Sequence, residues 1–303
     1  MKLLVIGGGI SDEREVSLRS AGSVHLAAKQ AGHDSHLYDW QGDWGWLDEN
    51  LASFEAVLPI LHGKGGEDGT IQAYLEKKGI PYLGSGPEAS RLCFNKDQTN
   101  KFLAENNFLV PRSEAVEYSG YMASRLSKEA HVLKPLDGGS SIDALINVHT
   151  DQVDSDRLRK LFQRYGVMLL EEFVPGLELT IPVLEGKSLP IVEIIPPEGG
   201  VFDYDNKYNG ETREICPPSS IDKNMQSKTK ALGEEVHKIT GCRHISRVDI
   251  ILSDNKLYVL EINTMPGLTD ASLFPLAAQK AGMPMPEFVN YLIKLMVPSA
   301  TRS

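Results

Sequence analysis

Basic charge is what this sequence has least of. Against 41 Asp and Glu residues it sets 31 Lys and Arg, a formal net charge of −10 in 303 residues. With no basic footprint to neutralise a polyanion, a nucleic-acid or anionic-membrane partner is not expected. A small anion met by a few local lysines remains compatible with that charge. Cysteine is scarce as well: Cys93, Cys216 and Cys242 stand far apart, without C-x-x-C spacing. Neither a disulfide framework nor a zinc site is expected, and a reducing, cytoplasmic location is the simplest inference. Long apolar runs are missing too. Leu3-Leu4-Val5-Ile6 stops at three glycines, too short for a signal peptide, and no stretch is long enough to span a bilayer. What is present is an ordinary globular composition, 41% hydrophobic and 24% charged. The length suits two or three domains, each able to bury a core.

Residues 2 to 6 read as a buried strand turning through Gly7, Gly8 and Gly9 into a helix. That helix is predicted from near Glu13 to Gly32, with Val16, Ala21, Val24 and Ala28 inward. His36 to Tyr38 reads as a second strand and Trp40 to Trp46 as a loop. Ala56 to Leu61 reads as a third strand, ending at H-G-K-G-G-E-D-G-T before a helix to Gly79, and Ile80 to Leu83 closes the unit. Alternating strands and helices predict a parallel sheet with ligands beyond the strands' carboxyl ends. The glycine-rich loops 7–12 and 63–69 fall at such ends. Asp12 stands where a dinucleotide fingerprint requires glycine, so a Rossmann NAD site fits poorly. The loops can still offer backbone N–H groups to an anion at a helix start; each reads equally well as a tight connection. Gly84-Ser85-Gly86-Pro87 marks a domain boundary.

Beyond it, a helical stretch from Phe94 to Asn106 carries Lys96, and the strand His131 to Lys134 runs into P-L-D-G-G-S-S-I-D. Lysine, backbone amides and serine hydroxyls suit phosphate, although the Walker spacing is absent and a solvated loop satisfies the same residues. A helix closes at Leu158 to Tyr165. The strand Val167 to Val174 then places Glu171 and Glu172 on opposite faces. Leu177 to Val183 and Leu189 to Ile195 read as a hairpin around Glu185-Gly186. The aperiodic stretch from Pro196 to Pro218 is long enough to serve as a lid. Ser219 or Ser220 is expected to cap a helix running to Gly241, and helices from Pro275 to Gly282 and Pro284 to Met296 close the chain.

The richest stretch runs from Arg247 to Leu273. Two apolar runs flank Ser253-Asp254-Asn255-Lys256, which predicts a β-hairpin. Arg247 and Asp249 share one strand face, and Glu261 and Asn263 share one face of the other strand. If the two faces coincide, hard oxygen donors converge in the way Mg²⁺ favours; a simple solvated polar face gives the same pattern.

Taken in order, G-G-I-S-D-E-R-E-V-S, L-H-G-K-G-G-E-D-G-T, G-S-G, K-P-L-D-G-G-S-S, D-N-K-Y, R-V-D and E-I-N-T-M-P-G-L-T resemble the D-alanine-D-alanine ligases of the ATP-grasp superfamily. The resemblance covers residue 3 to about residue 295. It implies a three-domain α/β fold, α+β in its ATP-grasp part. The domains would be an amino-terminal parallel-sheet domain (1–88), a central domain with the phosphate loop (89–173) and a carboxyl-terminal domain with lid and metal site (174–303). ATP would be gripped between the last two.

The implied activity is ATP-dependent, ADP-forming ligation of two D-alanines for peptidoglycan precursor synthesis. Lys96, Lys134 and Lys207 would hold ATP phosphates, with Ser140 and Ser141 closing over the γ-phosphate. Glu171 would accept from the adenine amino group, Glu172 and Val174 would offer backbone groups to its edge, and Glu178 would bind the ribose. Asp249, Glu261 and Asn263 would hold a pair of Mg²⁺ ions, with Mn²⁺ as a possible substitute. Glu13 would pair with the first D-alanine's ammonium, His62 would lie near its carboxylate, and Ser272 and Leu273 would take the second carboxylate. Arg247 and Gly267 would stabilise the oxyanion, and Tyr208 would link the lid to Ser140 and Glu13.

Relatives with D-serine or D-lactate as acceptor, and a non-catalytic nucleotide-binding relative, are the alternatives. Tyr208 favours D-alanine, and relatives commonly form homodimers. The departures are a slightly short lid, Ala271 in place of a larger polar residue, and Asp143 where the phosphate loop usually has glycine. If that position needs positive φ, aspartate fits it less well than glycine. Its carboxylate is expected to repel phosphate or to displace the loop, weakening ATP binding.

Overall fold

The computed structural model describes residues 1–139, 142–197 and 212–296, and all contacts below are among these. The amino-terminal sheet is parallel, as the alternation of strands and helices predicts. Its central strand β1 (Lys2–Gly8) lies between β2 (Asp34–Trp40) and β3 (Ala56–Pro59), with Val5 opposite both Leu37 and Leu58. Leu3 to Ile6 are fully buried, the unbroken apolar run of a strand covered on both faces. Helix α1 (Arg14–Gln30) covers the sheet with Ala21, Val24, Ala27 and Ala28. The stretch from Trp40 to Trp46, expected as a loop, instead leads into α2 (Gly45–Asn50). Trp40 packs against Trp44, which packs against Tyr74 of α3 (Thr70–Lys78), so aromatic burial gives this short helix its support. Residues 80–83 contribute only the bridge Val57 to Tyr82.

The helical stretch around Lys96 is two helices, α4 (Pro87–Phe94) and α5 (Lys96–Glu105), broken at Asn95. Asn95 is extended and its side-chain oxygen accepts the Gln98 N–H at 3.0 Å, a local bond that competes with helix continuation. Lys96 therefore opens a helix. A second, antiparallel sheet has the order β4 (Ser113–Val116), β7 (Met168–Glu172), β5 (His131–Pro135), β6 (Leu145–Val148). It is backed by α6 (Tyr118–Ala123) and α7 (Ser155–Tyr165), whose Tyr121, Leu158, Leu161 and Phe162 form its core. β4 and β6, of four residues each, are too short for their pattern to reveal them.

The third sheet is built from β8 (Leu177–Leu184), β9 (Lys187–Ser188), β10 (Val192–Ile195), β11 (Arg213–Ile215), β12 (Ile245–Ser253) and β13 (Lys256–Asn263). Its order is β11-β10-β8-β12-β13, with β9 on β8. Behind it lies α8 (Lys223–Ile239), where Gly233 meets Ile181 so closely that an added Cβ would stand 2.5 Å away. The cap of α8 is Asp222, accepting the Met225 N–H at 2.7 Å, and not Ser219 or Ser220. Those two serines give their N–H groups to Glu193 at 3.2 and 3.3 Å, because Glu193 is a buried carboxylate that needs donors.

The closing helices α9 (Leu273–Lys280) and α10 (Met285–Met296) return to the amino-terminal sheet. Phe274, Phe288 and Leu292 share one apolar cluster with Leu3, Val5 and Val24. This packing brings the start of α9 to the carboxyl end of the first sheet.

Candidate active site

The β12–β13 hairpin turns at Asp254 and Asn255, both with positive φ (49° and 61°), the twist-matched turn that two-residue hairpins favour. From that turn the strands pair Ser253 with Lys256 through Ile250 with Val259, and a bulge at Leu260 then shifts the register by one, so that Arg247 lies opposite Asn263 and Asp249 opposite Glu261. The two polar faces therefore coincide. Arg247 grips Asp249 with two bonds, Nε to Oδ1 at 2.9 Å and Nη2 to Oδ2 at 2.7 Å. Thr180 Oγ1 also donates to Asp249, and Asn263 Nδ2 donates to it at 3.1 Å. Four donors saturate the roughly four lone-pair sites of a carboxylate. Burial lowers the Arg247 pKa, but the Asp249 carboxylate outweighs it and holds the guanidinium's pKa above its ordinary value. Asn263, by donating its amide, leaves its carbonyl oxygen as the acceptor. The set is two carboxylates and an amide oxygen beside Lys96, whose Nζ lies 3.9 Å from Glu261. This donor chemistry fits a hard divalent cation that completes its shell with phosphate oxygens and water. Glu261 and Asn263 are the readier donors, since Asp249 must exchange a partner to join them.

Glu261 also faces a cavity of about 590 Å³ lined by Lys96, Lys134, Gly138, Gly139 and Glu13. Lys96 donates to the Gly138 carbonyl, which ties the glycine loop to α5. Burial lowers its pKa. Lys134 is half-buried beside Glu171 at 2.6 Å, and although burial lowers its pKa, Glu171 and Glu261 raise it further. Two lysines and backbone amides around one space suit a polyphosphate. Glu171 is held by Lys134 and by Asn100 Nδ2 at 2.9 Å, an arrangement that orients Lys134. Glu172 is bound by Arg112, Nε to Oε2 at 2.5 Å, and its N–H is spent on the Arg112 carbonyl. Val174 and Glu178 are half-buried, Val174 beyond the end of β7 and Glu178 on β8.

A second cavity of about 830 Å³ adjoins the first at Glu13 and is lined by Glu13, His62, Glu67, Arg247, Gly267, Ser272 and Leu273. Glu13 is buried at the foot of α1, and a Cβ on Gly139 would stand 3.1 Å from its carboxylate. His62 is neutral and fully engaged: Nδ1–H donates to the Met265 carbonyl at 3.1 Å, while Nε2 accepts from Ser20 at 3.3 Å. Ser20 in turn accepts the Leu268 N–H at 3.3 Å. Burial pushes the His62 pKa down, consistent with this tautomer. The chain of bonds fixes segment 265–268, and with it Gly267, against α1. Ser272 precedes α9, whose first N–H groups, Leu273 included, have no carbonyl within the helix and can meet a carboxylate. A Cβ at Gly267 would stand 2.9 Å from Ser272 Oγ, so a side chain there would displace that hydroxyl.

Two family models match the chain: D-ala D-ala ligase C-terminus over residues 122–294 and D-ala D-ala ligase N-terminus over residues 46–85. The chain belongs to the D-alanine-D-alanine ligase family. It is 35% identical to the D-alanine--D-alanine ligase of Syntrophotalea carbinolica over 96% of this chain and 95% of that one. Its fold is similar to that of the D-alanine--D-alanine ligase of Bacillus anthracis complexed with ATP: TM-score 0.80, 26% identity, 98% of this chain and 97% of that one. The VanG D-Ala:D-Ser ligase of Enterococcus faecalis is equally similar in fold, with TM-score 0.80, 26% identity, and 98% and 99% covered.

Among family site residues expected from the sequence, Ser140, Ser141, Lys207 and Tyr208 lie outside the described residues. Asp143 does take positive φ, 58°. Its carboxylate, however, accepts from Arg164 Nη1 at 2.9 Å and from the Tyr165 hydroxyl at 2.7 Å, and it is not among the residues lining the phosphate cavity. Glu67 was not singled out from the sequence, although it stands inside L-H-G-K-G-G-E-D-G-T. It accepts the N–H of Gly63 at 2.9 Å and of Met265 at 3.4 Å. Burial, helped by Glu13, pushes its pKa up to about 8. A buried carboxylate facing two backbone amides is the signal that its motif position alone could not carry.

Proposed function

We propose that the protein joins two D-alanines into D-alanyl-D-alanine at the expense of ATP, for peptidoglycan precursors. The observation that carries this reading is the meeting at Glu13 of two cavities of different chemistry. One is lined by Lys64, Lys96, Lys134 and a glycine loop; the other by Arg19, Arg247, Ser272 and a helix start. A phosphoryl donor and two amino acids need that arrangement.

In the first step, a D-alanine carboxylate attacks the γ-phosphorus, giving an acyl phosphate and ADP. Lys96 and Lys134 hold the phosphates, with Ser140, Ser141 and Lys207 completing the cradle. Glu13 pairs with the substrate ammonium, and His62 borders its carboxylate. Glu171, Glu172, Val174 and Glu178 border the nucleotide's base and ribose. Glu261, Asn263 and Asp249 would hold Mg²⁺ or Mn²⁺, which would supply charge neutralisation for the phosphates. In the second step, the free amine of the second D-alanine attacks the acyl carbon and phosphate departs. Arg247 and the Gly267 N–H face the developing oxyanion, and one such preorganised donor is worth roughly 3 kcal/mol. Ser272 and the Leu273 N–H hold the second carboxylate. Tyr208 closes the site from the lid side.

D-serine as acceptor is the second reading, supported by the likeness in fold to the VanG enzyme. Phosphate release with Mg-ATP and D-alanine alone, L-alanine alone, or D-alanine with D-serine or D-lactate separates them. Release with D-alanine alone is expected; release only with a second acceptor would overturn the main reading.

The ends of the sheets suggest domain boundaries near residues 88 and 173. No described helix is long and apolar enough to cross a membrane, and we place the protein in the cytoplasm as a homodimer. Exposed Ile10, Leu26, Leu37 and Trp46 favour an amino-terminal dimer contact, which light scattering of the purified protein would test.

A further inference from the structure

We propose that Arg164 is a positioning residue for the nucleotide site, clasping the phosphate loop at Asp143 to the start of α1 at Asp12. The proposal rests on reading the 590 Å³ cavity as the ATP site. One guanidinium serves both acids: Nη1 donates to Asp143 at 2.9 Å and Nη2 donates to Asp12 at 2.6 Å. Tyr165, next along α7, adds its hydroxyl to the same Asp143 oxygen. Burial and then the Asp143 carboxylate raise the pKa of that phenol, keeping it a donor.

Asp143 sits at φ 58°, a conformation that aspartate tolerates better than most side chains. With glycine there, the backbone could take the same shape, but nothing would tie it to α7. The near end of the loop already touches the amino-terminal region, because Gly139 lies against Glu13. The Ile142 N–H donates to the Gly139 carbonyl at 3.3 Å and links the two ends. The loop is thus fastened on both sides of the cavity mouth, at Gly139 to Glu13 and at Asp143 through Arg164 to the adjacent Asp12.

Asp12 lines the phosphate cavity, and the Arg164 guanidinium lies between its carboxylate and that of Asp143. Arg164 therefore has a second effect, since it neutralises one of two carboxylates that would otherwise repel each other and the phosphates. The clasp is exposed, with Arg164 50%, Asp12 59% and Asp143 31% open to solvent. Exposed ion pairs are weak and salt-sensitive, so the expected effect on nucleotide affinity is about three- to tenfold.

The test measures Mg-ADP binding by calorimetry together with KM for ATP and kcat. Arg164→Ala should weaken ADP and raise KM for ATP by about three- to tenfold, with kcat changed less than about twofold and the melting temperature unmoved. Arg164→Lys, able to serve one acid at a time, should recover part of the loss. Adding Asp143→Asn to Arg164→Ala should recover affinity, because the stranded carboxylate is gone. High salt should shrink the difference between wild type and Arg164→Ala. Equal ADP affinity in wild type and Arg164→Ala, or a further loss from the added Asp143→Asn, would overturn the clasp. A wild-type protein that binds no nucleotide would overturn both the clasp and the ATP site on which it rests.

Discussion

The two cavities that share Glu13 are held by opposite means. Around the cavity proposed for the amino acids, the walls are register-locked strands and buried bonds: Arg247 on Asp249, and His62 between Ser20 and Met265. Around the cavity proposed for the nucleotide, Lys96 is buried and Lys134 half-buried, but the far end hangs on exposed charges at Asp12, Asp143 and Arg164. The contrast follows from what each part must do. Stabilising an oxyanion requires donors fixed before the reaction, whereas a bulky nucleotide must enter and leave at each turnover. Bonds of high and low strength are placed accordingly.

The largest expected effect is at the phosphate-side cavity. Glu261→Ala should lower turnover by on the order of a thousandfold, comparable to deleting a preorganised catalytic charge partner, while circular dichroism and melting stay near wild type. Normal turnover would remove Glu261 from the metal set and weaken the contrast. Next comes the buried pair. Arg247→Met strands the Asp249 carboxylate and should cost about 3–5 kcal/mol in urea unfolding, with Asp249→Asn added in the same chain restoring part of it. A loss as small as that of a surface pair would show that the rigid wall is not rigid for the stated reason.

Two buried groups give pH tests of opposite sign. Burial lowers the His237 pKa to about 4, and the ring bonds Ser246 at 2.7 Å. The unfolded histidine protonates near 6.5, so the stability tied to the neutral ring is complete above that pH and lost as pH falls toward 4. The loss can reach about 3 kcal/mol, and His237→Gln should flatten that limb of the unfolding profile. Glu67, raised to about 8, behaves in reverse: its contribution is present below about pH 4.5 and lost as pH rises through 8. Glu67→Gln should therefore reduce the loss of stability between pH 4.5 and 8, measured by urea midpoints across that range, and an unchanged slope there would show that Glu67 is not its source. The smallest effect is the few-fold change in ATP affinity at Arg164, which sharpens the comparison because salt should erase it there and leave the Arg247 result intact.

Much of this was legible without coordinates. The parallel amino-terminal sheet follows from β1 and β3 being near-continuous apolar runs between helices. The hairpin follows from apolar strands around Asp254-Asn255, and the period of two puts Arg247 with Asp249 and Glu261 with Asn263 on a face each, whereas the bulge that makes the two faces coincide shows only in the structure. Four-residue strands such as β4 and β6 were not readable, since their pairing depends on neighbours distant in sequence. The break at Asn95 and the cap at Asp222 were missed for a related reason. Several polar residues could take each role, and the choice depends on which donors must satisfy a buried acceptor such as Glu193.

By itself, the sequence determined the family, through the order and content of its motifs, and the side on which each chemistry-bearing residue of a strand projects. Only the tertiary structure decided that Asp249 is saturated by four donors and that Glu171 is committed to Lys134 and Asn100. It alone shows that Asp143 turns to Arg164 rather than toward phosphate. Local pattern specifies a side chain's type and face. Which partner claims it depends on other segments, as far away as 69 residues for Thr180 on Asp249 and 71 for Asn100 on Glu171, brought close by burial of the core between β8, β12 and β13 and by strand pairing.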